Sequence, residues 1–324
     1  MKVLITGGAG FIGSTLADRL LERGDEVVVV DNYATGRRDN LSDHARLSVI
    51  EGSIADAAVV AQAFGESQGP DVVVHAAAAY KDPGAWEEDA RTNVLGTANV
   101  VRAAELASAG RLIYFQTALC YGLKPLEQPI SLSHPLRPEG SSYAISKTSG
   151  EQYIALSSLD WISFRLANAY GPRNLSGPLP TFYARLIQDK GVFVMDTRRD
   201  FIFVDDLVDC VMKAIDGGGR LGPYHISSGA DYSIKELYDH TIKALHMPEK
   251  AEVEVRPRGE DDAATILLDP SQTEADFSWK ITTPLEEGVR RAIDYYRDHG
   301  IEETFTHLRP IEPTNEPMQE KGGS

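Results

Sequence analysis

Short apolar runs alternate with longer stretches in which apolar residues recur every three or four positions through the first half of the chain. The runs fall at 2–6, 26–31, 46–51, 72–76, 112–116 and 161–166, and the helical periods at 11–23, 56–64, 86–109 and 143–157. This alternation predicts an α/β fold: a Rossmann-type, doubly wound parallel sheet covered by helices. From Ala167 the regularity fades, Gly and Pro punctuate 170–180, and shorter elements follow. The pattern divides the chain into a domain at 1–166 and a smaller α/β region at 167–306 that partly interleaves with the sheet. Residues 307–324, with three prolines, several charges and a Gly-Gly-Ser end, read as a loose tail.

Composition narrows the class. The 324 residues are 42% hydrophobic and 25% charged, near the globular average, and no window approaches 18 consecutive apolar residues. The first strand begins at Lys2, with no room for a signal peptide before the fold, which predicts a cytoplasmic chain. Cys120 and Cys210 are too few for a disulfide scaffold. The 48 acidic and 32 basic residues give a net charge of −16, which opposes nucleic acid or an anionic membrane as main partner. The eight histidines form no His-x-His or His-Glu-x-x-His set, so no metal site is expected.

Two motifs carry chemistry. The first strand runs straight into Gly7-Gly8-Ala9-Gly10-Phe11-Ile12-Gly13, which opens a helix. Gly7 permits a tight turn, Gly10 lets the backbone approach a pyrophosphate, and Gly13 allows close helix packing. The second strand ends in Asp31, where a carboxylate can bond both ribose hydroxyls and would repel a 2′-phosphate, favouring NAD over NADP. The other motif is Tyr143-Ala144-Ile145-Ser146-Lys147, whose spacing places the phenol and the ammonium on one helix face. A lysine ammonium together with a positive nicotinamide would favour the phenolate and suit Tyr143 to act as a base. Thr117 ends the fifth strand, at the sheet edge where such folds bind ligands. Taken singly, a glycine-rich turn, a strand-end threonine or a Tyr-x-x-x-Lys string is common and mute; their order along one chain is not.

With these residues in place the chain resembles the extended short-chain dehydrogenase/reductases, in particular the NAD-dependent sugar-nucleotide epimerase/dehydratases typified by UDP-galactose 4-epimerase. The resemblance runs to about Tyr296 through GGAGFIG at Gly7, DNYATGRRDNL from Asp31, VVHAAA, TNVLGT around Asn93, TALCYG at Thr117, YAISK at Tyr143, RLANAYGPR from Arg165 and RRDFIFVDDL from Arg198. It implies that the first domain holds NAD through Gly7, Gly10, Phe11, Ile12, Gly13, Asp31, Asn32, Ser53, Ile54, Ala76, Ala77, Ala78 and Asn93, with Tyr143 and Lys147. By the same resemblance Thr117, Tyr143 and Lys147 are catalytic, and Asn168, Arg199 and Arg258 meet the substrate's pyrophosphate. Tyr80 and Lys81 lie near the sugar, where Lys81 could bind a carboxylate or an extra polar group, or stay solvated. His75 is expected to pack beneath the cofactor.

Departures from the family pattern sharpen this. The Asp-Glu pair that 4,6-dehydratases carry after the catalytic threonine is Ala118-Leu119 here, and neither can move a proton. The usual Gly-Asp after the third strand is Gly52-Ser53, which removes a common adenine contact. The resemblance therefore implies a 4-epimerase acting through a transient 4-keto sugar on an NDP-hexose or NDP-hexuronate, most simply UDP-linked. Its rivals are a UDP-hexuronate decarboxylase, a sugar-nucleotide ketoreductase or dehydratase, and an NAD-sensing binding protein without chemistry. The helices at 86–109 and 143–157 could also pair in a homodimer.

Overall fold

The computed structural model describes residues 1–65, 69–248, 253–259, 262–301 and 303–305; the tail read at 307–324 lies outside them. The first half alternates β1 (Lys2–Thr6), α1 (Phe11–Arg23), β2 (Glu26–Asp31), β3 (Leu47–Glu51), α2 (Ala57–Phe64), β4 (Val72–His75), α3 (Trp86–Asp89), α4 (Thr97–Leu106), β5 (Arg111–Thr117), α5 (Ser142–Ala155) and β6 (Trp161–Leu166). Then come β7 (Asn168–Tyr170), α6 (Pro178–Leu186), β8 (Phe193–Met195), β9 (Arg198–Arg199), β10 (Phe201–Phe203), α7 (Val204–Ile215), β11 (Gly222–Ile226), β12 (Tyr232–Ser233) and α8 (Ile234–Ala244). The described chain closes with β13 (Glu254–Arg256), β14 (Thr265–Ile266), α9 (Ser271–Phe277) and α10 (Leu285–His299).

Seven parallel strands form the main sheet in the order β11-β6-β5-β4-β1-β2-β3. Alternate side chains of each strand feed two cores. Val3, Ile5, Val27, Val29 and Val74 pack with α1 and α7 on one face, while Leu4, Val28, Val73, Leu112 and Tyr114 pack under α2, α4 and α5 on the other. The last strand and one covering helix come from beyond residue 167: β11 pairs with β6 from Gly222↔Ile162 to Ile226↔Leu166, and α7 lies on α1.

The helix expected at 86–109 is not continuous. Between α3 and α4, Ala90–Gly96 winds as a π-helix. Periodicity cannot reveal this, because the apolar stripe continues through the wider turn, yet π-turns are often functional. Here the bulge aims the Asn93 amide at the segment after β4 (Ala79) and at α5 (Ser146). It also needs close neighbours. A Cβ on Gly150 of α5 would lie 2.8 Å from both the Asn93 carbonyl oxygen and the Tyr114 hydroxyl.

Gly150→Ala should therefore lower stability by roughly 1–3 kcal/mol in urea unfolding, because the crowding atoms are backbone and a fully buried phenol. Ser149→Ala, one position along on α5, should change it by less than about 0.5 kcal/mol.

Candidate active site

The turn after β1 is built to receive an anion. Gly7 has φ +70°, and a Cβ there would sit 2.7 Å from the Ala77 backbone. A Cβ on Gly13 would strike the Gly7 carbonyl oxygen and come within 2.8 Å of the Gly8 Cα. Gly10 caps α1 with no side chain of its own, so the first-turn amides at Phe11, Ile12 and Gly13 face outward without a side-chain acceptor. Asp31 closes the far side of the loop: one carboxylate oxygen accepts from Ala9 N at 2.9 Å, the other from Tyr33 N at 2.8 Å. Burial raises its proton affinity, and those two amide bonds oppose the rise. A carboxylate has about four acceptor sites, so two remain for ribose hydroxyls. Asn32 is exposed and accepts from Ala34 N, Ser53 accepts from Ala55 N, and Ile54 is buried against Gly96. The cradle that side chains would fill, the uncapped amides and the strand-end carboxylate fit a dinucleotide.

Beneath this floor lies a buried polar chain. Ala76, Ala77 and Ala78 follow β4, with Ala76 N bonded to the Thr6 carbonyl and Ala77 N to the Thr6 hydroxyl. His75, fully buried, spans Thr6 Oγ1 (2.7 Å from Nδ1) and Thr97 Oγ1 (2.9 Å from Nε2). Thr97 already donates its proton to the Asn93 carbonyl, so Nε2 carries the imidazole hydrogen and Nδ1 accepts from Thr6. Burial, with the Lys147 charge nearby, pushes the His75 pKa down to about 3, so it stays neutral. Asn93 is 1% exposed, and its amide is engaged by Ala79 N, the Ala79 carbonyl and Ser146 Oγ. It is a brace between the β4 loop and α5.

Tyr143 and Lys147 lie on α5, which packs against β5, whose last residue is Thr117, and against the turn that follows it. Thr117 Oγ1 accepts from Leu119 N at 3.2 Å and keeps its own proton to donate. Ser141 caps α5 by accepting from Ala144 N, starting the helix one residue before Tyr143. Lys147 is 2% exposed, with Nζ 4.0 Å from the centre of the Tyr114 ring. Burial pulls its pKa down to about 7, against the pull of Glu151 one helical turn away. For Tyr143, burial first, then neighbouring Tyr80 and Asp89, all push the phenol's proton affinity up. Among the groups acting on the phenol, none lowers its proton affinity.

A cavity of about 480 Å³ opens beside Tyr143, lined among others by Tyr80, Trp86, Asp89, Leu119 and Ser142. Tyr80 stands edge-on to Tyr143, ring centres 6.4 Å apart. Lys81 is not in the cavity wall. Its ammonium turns to Glu303 at 3.3 Å and lies 4.5 Å from the centre of the Phe305 ring, because an acid and an aromatic from the C-terminal segment sit there. On the other side, Arg199 pairs with Asp262 and donates to the Ala263 carbonyl at 2.8 Å, while Arg258 donates to the Asp262 carbonyl at 3.0 Å. The two arginines thus converge on Asp262, a residue the sequence reading passed over inside an acidic string. The Asn168 amide meets the Asp200 carbonyl at 3.3 Å. Among the described residues, no three His, Cys, Asp or Glu side chains are grouped to hold a metal ion, and no helix is long and apolar enough to cross a membrane.

Known proteins are similar to this chain in sequence and in fold. A family model described as the NAD dependent epimerase/dehydratase family matches residues 3–227. A UDP-glucose 4-epimerase of Mycolicibacterium smegmatis is 31% identical, the match covering 92% of this chain and 99% of that one. The Bordetella bronchiseptica enzyme WbmH, solved with NAD+, is 55% identical with a TM-score of 0.89, covering 93% of this chain and 99% of the other. WbmG of the same organism, solved with NAD and UDP, is 43% identical with a TM-score of 0.87, covering 95% and 99%.

Two outcomes follow from the site. Asp31→Ser should weaken NAD binding and raise NADP binding relative to it in calorimetric titration, since the carboxylate that repels a 2′-phosphate is gone. Lys147 should make stability pH-dependent with a definite sign. Between about 7, its folded pKa, and 10.5, its ordinary value, the unfolded chain holds a proton that the folded chain lacks. Stability from this group therefore rises with pH across that window, by at most roughly 1.4 kcal/mol per unit, and levels off at its lowest below it. Denaturant melts from pH 6 to 10 should show wild type gaining on Lys147→Met as pH rises.

Proposed function

The chain belongs to the NAD dependent epimerase/dehydratase family, and from that premise we propose that it inverts C4 of a UDP-linked hexose or hexuronate through a transient 4-keto sugar. The observation that carries this reading is that α5, with Tyr143 and Lys147, packs against β5 and against the turn after its last residue Thr117, and that neither Ala118 nor Leu119 is an acid or a base. NAD, when bound, supplies a hydride acceptor and a positive ring. Thr117 donates to the C4 oxygen, and Tyr143 takes the hydroxyl proton as hydride leaves C4. Lys147 holds the cofactor's ribose from below α5. The 480 Å³ cavity would give the keto sugar space to present its other face, and Tyr143 would give the proton back to the C4 oxygen. Arg199 and Arg258 would hold the diphosphate.

Dehydration would require a proton donor and acceptor where Ala118 and Leu119 stand. Decarboxylation needs neither, because a 4-keto hexuronate is a β-keto acid; the same three residues would suffice, and the products alone tell the two apart. A second copy of the chain is proposed against the exposed apolar residues Trp86, Leu95 and Leu106 of the α3–α4 stretch and Ile145, Tyr153 and Leu156 of adjacent α5. With Cys120 and Cys210 both buried as free thiols, the reading places the protein in the cytoplasm.

Purified protein incubated with UDP-glucose, UDP-glucuronate or UDP-N-acetylglucosamine should yield an equal-mass C4 epimer from at least one, read by NMR and mass spectrometry. Loss of carbon dioxide or of water would replace epimerisation with the corresponding rival. Tyr143→Phe should cut turnover about 10²–10⁴-fold with circular dichroism unchanged; near-full turnover would remove Tyr143 from the role of base.

A further inference from the structure

One residue of the RLANAYGPR string has no part in the mechanism above. Arg173 has φ +68°, the left-handed region that non-glycine residues seldom occupy. Its loop is held from behind by Tyr296 of α10, whose hydroxyl donates to the Asn174 carbonyl at 2.8 Å, and by Phe305, whose amide donates to the Leu175 carbonyl at 2.8 Å. From this fixed base the side chain crosses to α1. There its guanidinium lies 2.7 Å from Asp18 and donates to Ser14 Oγ at 3.2 Å. Ser14 in turn donates to the carbonyl of Phe11, the first residue of the helix.

The position is electrostatically odd. Ser14 is the fourth residue of α1, so the guanidinium stands within about one turn, ~5.4 Å along the axis, of a helix N-terminus. That end carries positive dipole charge, and cations are favoured at the opposite end. Asp18 offsets part of the cost. An anion seated on the glycine turn would remove the rest, since it would face the helix amides and the guanidinium together.

We infer that Arg173 is a cofactor-retention residue. Its guanidinium adds a charge-assisted hold at the pyrophosphate end of the NAD site and fastens the substrate-side loop over α1. Asp18 competes for the guanidinium rather than cooperating with it. Epimerisation has particular need of such a hold, because the cofactor must stay in place between the outward and return hydride transfers.

The test is NAD release from the holoenzyme, followed by native mass spectrometry after dilution. Arg173→Met should release NAD at least tenfold faster than wild type, and Arg173→Lys, which keeps the charge, should stay within about threefold of it. Asp18→Asn should release NAD no faster than wild type. A simple staple between the two halves of the molecule would make Arg173→Met and Asp18→Asn equally leaky. That result, or wild-type retention in Arg173→Met, overturns the inference. Far-UV circular dichroism on each variant separates leakage from unfolding, and the Asp18→Asn and Arg173→Lys arms decide the matter if Arg173→Met does not fold.

Discussion

Because all seven strands of the main sheet run the same way, their carboxyl ends lie along one edge, and everything reactive in this protein hangs from that edge. Thr6, Asp31, His75 and Thr117 are the last residues of β1, β2, β4 and β5. A parallel sheet leaves its strand ends to be met by loops and helix N-termini, where backbone donors are free and dipoles point at a ligand. Reversing any of these strands would send its terminal polar residue to the far side of the molecule. The glycine turn, the Asp31 carboxylate and the strand-end hydroxyl are thus consequences of one directional constraint.

That edge holds its shape through buried polar groups that are satisfied one by one. Thr6, His75, Thr97 and the Asn93 carbonyl form a single line of hydrogen bonds whose proton positions are set by the one donor each hydroxyl has. Asn93 ties the β4 loop to α5 at Ser146, one position before Lys147. Further along α5, Glu151 pairs with Arg165 at 2.6 Å, Arg165 reaches the Tyr121 hydroxyl at 2.8 Å, and Tyr121 reaches His225 of β11 at 2.6 Å. The helix that carries the phenol and the lysine is therefore bolted to the sheet and to the C-terminal strand through groups that would be costly to leave unpaired. Such a scaffold fixes α5, and with it Tyr143 and Lys147, against the sheet.

Bulk charge and local charge point in opposite directions. The net −16 is spread over an acidic surface, whereas the cations that matter are gathered in two places. Arg173 stands at the first turn of α1, and Arg199 and Arg258 meet at Asp262. A dianionic ligand senses those groups and the helix amides at a few ångströms, where the distant surface charge is screened by salt. Arg173 and Arg199 are each paired with a carboxylate, that of Asp18 and that of Asp262, while Arg258 donates to the Asp262 backbone carbonyl.

The amino-acid sequence by itself determined the sheet, its helices and the residues at its working edge. Strand period, the glycine turn and the Tyr143-to-Lys147 spacing are local properties that survive translation into coordinates with shifts of a residue or two. It also announced Arg199 and Arg258 by motif. Only the tertiary structure decided how these groups are balanced. The π-turn at 90–96 exists because Asn93 must meet both Ala79 and Ser146, partners remote in sequence. The neutral state of His75 and the weakened basicity of Lys147 come from burial beneath elements contributed by distant parts of the chain, which no local pattern encodes. Lys81 turned to Glu303 rather than the cavity for the same reason: its partner lies 222 positions away. Spacing along the chain settles which groups share a face, whereas their proton affinity and their partners depend on what the completed fold packs around them.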